Sequence, residues 1–412
     1  MAISATSQAN LKEQYSRELL GVFGEPSLVL TEGKGCTVTD ADGKTYLDLL
    51  AGIAVNSLGH AHPEWVAAVQ EQAGKLAHIS NFFTSEPQLQ LAHKLAEFLG
   101  DTQQVQSFFC NSGTEANEAA YKLARRYGNT HGKSTILALD HGFHGRSIGA
   151  LSLTWKEQYR HPFEPMPTGV KHIPATVAAL EEHLSDDVAA VIVEPIQGEA
   201  GVVPLPEGYL STARELTRAH GALLIVDEVQ TGMGRTGRWF ECTRELSGDR
   251  LPDVITLAKG LGGGFPIGAM LVIGEQNQKI LEPGMHGTTF GGNPLAAAAA
   301  LATLTVIERQ NLREHAQQAG QKVRQQLAQL PEVATTRGAG LLIAIELKQD
   351  TTEAGEPLAP VCVNAAREAG FIINATGPNT LRLAPPLIIT NQELAAFATK
   401  LSSIVKTARE NA

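Results

Sequence analysis

The strongest constraint on the fold is a rhythm running from about Gln88 to Ile273. Short apolar, β-branched runs alternate there with stretches of helical length. The predicted strands are Val105–Cys110, 134–139, Val188–Val193, 222–226, Val254–Leu257 and 269–273, most of them largely apolar, with helices predicted over 89–99, 114–127 and 208–220. Apolar runs this short, without polar alternation, read as strands buried on both faces. Their alternation with helices predicts an α/β fold, a mostly parallel sheet covered by helices on both faces. In such a sheet ligands gather at the carboxyl ends of the strands.

The flanks differ. Residues 1–30 read as an N-terminal arm with helical stretches, and 28–50 as an antiparallel meander punctuated by Glu32-Gly33-Lys34-Gly35 and Asp40-Ala41-Asp42-Gly43. A helix is predicted over 64–76. Asn293-Pro294 carries the N-cap and first-turn signals of a long helix, and a second is predicted over 312–330. The tail reads as strand 341–347, helix 361–369, strands 371–374 and 381–383, and a final helix from Asn391.

Composition excludes several classes. Of 412 residues, 43% are hydrophobic and 18% charged, which fits a globular chain with a large core. The net charge of −10 argues against broad binding to nucleic acid or an anionic membrane. The 4 cysteines are scattered and form no C-x-x-C, no secretory signal is visible near the first residues, and the apolar stretch 295–307 is too short to span a bilayer. A cytoplasmic protein is expected. His60, His62, His141 and His144 lack further ligands nearby in sequence, so structural histidines are expected and no metal site.

The chemistry is concentrated just beyond the predicted strands. After Val105–Cys110, the turn Asn111-Ser112-Gly113-Thr114 starts a helix, offering free N–H groups, hydroxyls and a positive dipole end that suit a phosphate or an ordinary N-cap. After 134–139 come Phe143, which could lie flat on a bound aromatic ring, and Arg146, a planar fork for a carboxylate or a surface residue. Glu199 follows Val188–Val193, either facing a site or solvated. Asp227 ends 222–226, semi-buried and in need of a cation or protonated ring nitrogen, with Gln230 in the same turn able to reach a ring hydroxyl. Val254–Leu257 then delivers Lys259 into the glycines Gly260, Gly262, Gly263 and Gly264. Burial would favour the neutral amine, the form that attacks an aldehyde, whereas a snorkelling lysine would keep its head in water. A phosphate cradle, a stacking ring, an acid for a pyridine nitrogen and a lysine for an aldehyde together fit pyridoxal phosphate.

Two glycine patterns compete and fail. Gly232-Met233-Gly234-Arg235-Thr236-Gly237 fits a dinucleotide fingerprint, but Trp239-Phe240-Glu241-Cys242 is a poor start for the helix it requires. The segment 128–134 is one residue short of a P-loop and leads into a strand.

The ordered motifs resemble the class III, or ω-amino-acid, aminotransferases of fold type I over nearly the whole chain. The resemblance rests on Asn111-Ser-Gly-Thr-Glu-Ala-Asn-Glu118, Phe143-His-Gly-Arg146, Glu194-Pro-Ile-Gln-Gly-Glu199, Asp227-Glu-Val-Gln230, Ala258-Lys259 and His286-Gly-Thr-Thr-Phe-Gly-Gly-Asn-Pro294. It implies a seven-stranded, mostly parallel sheet. It also implies an N-terminal arm and small-domain segment over 1–75, a large pyridoxal-phosphate domain over 76–305 and a C-terminal small domain over 306–412. By resemblance, Lys259 is the Schiff-base lysine and proton carrier, Asp227 the partner of the ring nitrogen, Phe143 the stacking ring and Gln230 the neighbour of the ring hydroxyl. Gly113 and Thr114 bind the phosphate. Thr289 reaches the phosphate of a neighbouring subunit's cofactor, with Thr288 nearer the substrate, so a homodimer with shared sites is implied. Arg146 takes a substrate carboxylate, Arg382 the glutamate α-carboxylate, and Glu199 masks Arg382 while an ω-amine binds.

The implied activity is transfer of the ω-amino group of N-acetylornithine to 2-oxoglutarate, in arginine biosynthesis. The stretch 375–379 fits that branch. Ala200, where relatives often carry glycine, bears on loop flexibility alone. Other implied amines are ornithine, succinylornithine, N-succinyldiaminopimelate, 4-aminobutyrate and acetyl-lysine. An NAD-linked oxidoreductase built on Gly232 to Gly237, and a non-catalytic protein on the same fold, are the readings from other classes.

Overall fold

A computed structural model describes residues 7–100 and 104–410. Its centre is a seven-stranded sheet built from β1 (Val105–Cys110), β2 (Thr135–Leu139), β3 (Val170–Ile173), β4 (Val188–Val193), β5 (Leu223–Asp227), β6 (Val254–Leu257) and β7 (Gly268–Ile273). The spatial order is β1-β7-β6-β5-β4-β2-β3. Every pairing from β6 to β3 is parallel, and β7 runs antiparallel to both β6 and β1. The reversal has a local cause. The connection 258–267 is too short for a crossover, so the chain doubles back and Leu257 pairs with Ala269.

All of β4, Val-Ala-Ala-Val-Ile-Val, is buried, as are β5 and β6. Full burial of each valine, leucine or isoleucine contributes about 1.5–3 kcal/mol. The sheet is covered by helices such as α1 (Gly113–His131) and α2 (Tyr209–Ala219). Ser112 caps α1 by accepting the Glu115 N–H at 3.3 Å, and Gly132 closes it in the left-handed region at φ 68°. The long helix Pro294–Arg309 opens as its sequence predicts: Asn293 Oδ1 accepts the Ala296 N–H at 2.8 Å.

The meander is present as Leu30–Lys34, Thr37–Asp40 and Thr45–Asp48. Residues 1–6 of the predicted N-terminal arm lie outside the described residues. Several strands escape the sequence pattern, among them the two-residue pair Ile196–Gln197 and Val203–Pro204. Val170–Ile173, Val-Lys-His-Ile, is an edge strand with little apolar character, and Val333–Ala339 is mostly small and polar. The single strand expected over 371–374 is instead two. Phe371–Ile372 pairs in parallel with Thr45–Asp48, whereas Asn374–Ala375 pairs with Thr380–Leu383 in another sheet. The break lets one segment join the N-terminal meander to the C-terminal sheet.

Candidate active site

A cavity of about 400 Å³ lies at the carboxyl ends of β1, β4, β5 and β6. Its wall includes Gly113, Thr114, Phe143, Arg146, Glu199, Asp227, Gln230 and Lys259. Eight residues singled out in the sequence, separated by up to 146 positions, therefore converge on one space.

Lys259 stands in the turn between β6 and β7, at φ 42°. A non-glycine residue in that region costs about 1–3 kcal/mol, strain held in place by the packed strands on either side. Burial pushes the lysine pKa below its ordinary value, and the charges of Glu199, Asp227 and Glu194 oppose that shift without reversing it. The amine is thus biased toward the neutral nucleophile.

Asp227 ends β5 and is 3% exposed. Asn117 Nδ2 donates to its Oδ2 at 2.7 Å, His144 Nδ1 lies 2.8 Å from the same oxygen, and the Val229 N–H reaches Oδ1 at 2.9 Å. Asn117 is itself fixed, since its Oδ1 accepts from Thr256 Oγ1 at 2.7 Å. Burial alone would lower the His144 pKa; the hydrogen bond and charge of Asp227, with Glu194, outweigh it and raise it. Glu194 is buried beneath the same loop and accepts the Phe143 N–H at 2.8 Å and the Gly198 N–H at 3.3 Å. Desolvation pushes its carboxyl up to about 7, although His144 pulls the other way. Asn117, His144 and Glu194 join the site only through the fold. Each sits in a quoted motif, and the signal that could have found them is the need of a buried Asp227 for donors.

The start of α1 fits a phosphate. Helix geometry leaves the Gly113 and Thr114 N–H groups without intrahelical acceptors, and both residues line the cavity. A Cβ on Gly113 would stand 2.8 Å from Val229 Cγ1, so only glycine permits this approach. Thr114 Oγ1 accepts the N–H groups of Arg146 and Ser147, each at 3.0 Å. Gly145 packs so closely there, at φ 140°, that a Cβ would run into Thr114 Oγ1. Phe143 lines the cavity beside Asp227, and Gln230 Oε1 is buried with no partner, open to a hydroxyl donor. Residues and unmet hydrogen-bonding capacity alike fit pyridoxal phosphate: anion donors at one end, a buried acid and an aromatic between, and a lysine.

Arg382 is fully buried on Thr380–Leu383 and does not line the cavity itself. Its Nη1 donates to Glu199 Oε1 at 2.5 Å and to the Gly198 carbonyl at 3.2 Å, its Nε to Asn374 Oδ1 at 3.1 Å, and its Nη2 has no partner. Burial would raise the Glu199 pKa, but Arg382 more than compensates and holds it low. Arg146 lines the cavity and is exposed. Thr288 and Thr289 lie outside this cavity, in a neighbouring recess that shares Asn111 with it. Asn111 Nδ2 donates to Thr288 Oγ1 at 3.2 Å, and Thr289 is exposed.

The competing glycine patterns are structural. Residues 232–237 form turns followed by the short 3₁₀ segment Glu241–Arg244, and Arg235 turns inward to the carbonyls of Leu341 and Pro385. Gly128 lies inside α1. Among the described residues, no three His, Cys, Asp or Glu side chains converge in a way that could hold a metal.

A seven-stranded α/β sheet presenting a desolvated lysine and a buried aspartate to one cavity is the architecture of the fold type I aminotransferases. The chain belongs to the class III aminotransferases, whose family model matches residues 23–405. It is 48% identical over 403 residues to the acetylornithine aminotransferase of Bifidobacterium longum, covering 92% of each chain. Among solved structures, it resembles the N-acetylornithine aminotransferase of Stenotrophomonas maltophilia at 35% identity and TM-score 0.79, covering 96% of this chain and 98% of that one. The ornithine aminotransferase of Toxoplasma gondii, with PLP at partial occupancy in its active site, matches at 33% identity and TM-score 0.89, covering 98% of this chain and 96% of that one.

Proposed function

We propose that this chain transfers the ω-amino group of N-acetylornithine to 2-oxoglutarate, giving N-acetylglutamate semialdehyde and glutamate in arginine biosynthesis, with pyridoxal phosphate as cofactor. The carrying observation is the pairing of two arginines with opposite fates. Arg146 stands open at the cavity, and Arg382 is closed off by Glu199. A site that accepts an ω-amine carrying a distant carboxylate needs the first. Acceptance of an α-amino acid or its oxo-acid needs the second, once Glu199 moves. The two similar proteins named acetylornithine aminotransferases support the same substrate.

Pyridoxal phosphate supplies an aldehyde that captures amines and a ring that withdraws electrons. The residues do the rest. The N–H groups of Gly113 and Thr114 hold the phosphate of the chain's own cofactor, and Gln230 meets the ring hydroxyl. Phe143 covers the ring face. Asp227, fixed by Asn117 and His144, keeps the ring nitrogen protonated. Lys259, biased toward its neutral form, would take the proton from the substrate carbon bearing the amine and deliver it, on the same face, to the carbon that was the cofactor's aldehyde. Arg146 holds the N-acetylornithine carboxylate, with Thr288 nearby. Glu199 then releases Arg382 for the α-carboxylate of 2-oxoglutarate.

A homodimer with shared sites is part of this reading. Phe82 and Phe83 are 93% and 70% exposed, and Asn81 Nδ2 ties their segment to the loop carrying Thr289 through the carbonyls of Thr288 and Gly291, at 3.0 and 3.1 Å. An apolar patch beside an unemployed phosphate ligand suits a second copy, into whose cofactor Thr289 reaches. The domain boundaries near 75 and 305 belong to the same reading. So does a cytoplasmic location, which four buried free cysteines support.

The test is the absorption spectrum of the purified protein before and after N-acetylornithine without an oxo-acid. A visible band that is lost on addition, and restored by 2-oxoglutarate, is expected. A yellow protein indifferent to N-acetylornithine would redirect the reading to ornithine or another ω-amine. A protein that stays colourless with added pyridoxal phosphate would overturn it.

A further inference from the structure

Arg146 is exposed, and among the described residues its guanidinium makes no ion pair or hydrogen bond. Only aromatic rings hold it. Its Cζ lies 3.6 Å from the ring centroid of Tyr159 and 5.7 Å from that of Phe143. At 3.6 Å the guanidinium carbon lies over the face of the tyrosine ring, close enough for the two planes to stack. Stacking uses the face of the guanidinium and leaves its in-plane N–H fork unoccupied. An acidic partner would fill that fork, and an unsupported arginine would scatter among rotamers and lose that freedom on binding.

Tyr159 is itself anchored. It sits on the short helix Glu157–Arg160, and two residues before that helix Trp155 donates its N–H to the Gly142 carbonyl at 2.9 Å. His141 and Trp155 have ring centroids 4.0 Å apart, and Tyr159 meets Phe143 edge-on at 6.3 Å. Arg160 Nη2 closes the helix back onto the Trp155 carbonyl at 2.9 Å. The segment 155–160 is thereby fastened along the loop bearing Phe143 and Arg146. Lys156 Nζ approaches the same tyrosine ring, but only to 5.0 Å.

We infer that Tyr159 is the positioning residue for Arg146, presenting its open fork to the carboxylate of the ω-amine substrate. The inference rests on the reading of Arg146 given above. Tyr159 touches no reacting atom; it acts through the arginine, and so bears on one substrate of the two. Arg382, on a different sheet, handles the other.

The experiment compares Tyr159→Leu, Tyr159→Phe and Arg146→Ala holoenzymes in steady state. Tyr159→Leu is expected to raise the KM for N-acetylornithine about 2- to 30-fold, the range of a cation–π contact, with kcat and the KM for 2-oxoglutarate unchanged. Tyr159→Phe keeps the ring and restores the wild-type KM. Calorimetric affinity for N-acetylnorvaline, which keeps the carboxylate and acetyl group but lacks the amine, falls by the same factor in Tyr159→Leu. The KM for N-acetylputrescine, which lacks the carboxylate, does not move. If Tyr159→Leu does not fold, Tyr159→Gln gives the same readout. Equal shifts for both substrates, or none, overturn the inference. If Arg146→Ala raises the amine KM while Tyr159→Leu does not, Tyr159 alone loses its role. If Arg146→Ala also leaves that KM unchanged, the reading of Arg146 falls and the inference with it.

Discussion

Arg382 Nη1 stands 2.5 Å from Glu199 Oε1, the arginine fully buried and the glutamate on the cavity wall. In the proposed reading the pair is a removable cover: while it is closed, Arg146 is the only arginine lining the cavity among the described residues. Glu199→Ala leaves Arg382 uncovered. The ratio of kcat/KM for N-acetylornithine to that for glutamate is expected to fall about 10- to 100-fold, the value of a charge-assisted hydrogen bond. Single-turnover absorption changes with each amine measure it, and an unchanged ratio would deny Glu199 its masking role.

Lys259→Ala is expected to lose at least about 1,000-fold in turnover, because nucleophile and proton carrier vanish together. Thermal unfolding should stay cooperative. Turnover within tenfold of wild type would refute the assignment.

The same lysine has a cost in stability. Burial sets its folded pKa below the unfolded value, so at neutral pH the unfolded chain holds the proton more tightly. That penalty is complete below the folded pKa and disappears as pH rises from there to the unfolded value. Lys259→Met, without cofactor, should therefore melt higher than wild type near pH 7, with the gap closing toward about pH 10.5, the ordinary lysine value. Melting curves across pH 6.5–10.5 provide the check; a gap that widens with pH contradicts the sign.

Asn117→Ala removes the 2.7 Å donor to Asp227 and leaves the carboxylate with His144 and the Val229 N–H. A loss of about 10- to 100-fold in kcat is expected, with the cofactor retained. Asp227→Ala should lose more while still holding some cofactor. Rates paired with visible absorbance separate the two effects.

Phe82→Asp with Phe83→Asp places two charges on the exposed apolar patch beside the Thr289 loop. Light scattering should then report half the wild-type mass, and turnover should fall although no cavity residue has changed. A wild-type protein already monomeric would remove the shared-site reading.

Much of this site is readable from sequence because each contribution is local to one strand end. β1, β4 and β6 have the predicted bounds, because each largely apolar run ends at a polar or glycine-rich turn: Asn111-Ser112-Gly113, Glu194-Pro195 and Lys259-Gly260. What escapes is long-range. His144, expected to be structural, is structural in a specific sense: it braces Asp227 across 83 residues of chain. Tyr159 falls outside every motif, and nothing in Glu157–Arg160 announces a stacked arginine. The strand Val170–Ile173 escapes because an edge position asks for so little hydrophobicity.

The doubling-back of the chain at 258–267 has a consequence for length. The Leu257–Ala269 pairing fixes where β6 ends and where β7 begins, and both strands are almost wholly buried. An added or deleted residue in β6 cannot be absorbed by slippage, because a one-residue slip turns a strand's side chains to the opposite face. One inside the turn would lift Lys259 off its left-handed perch. The segment acts as a ruler, and variation in this protein should run to substitution there, with insertions and deletions confined to the surface loops.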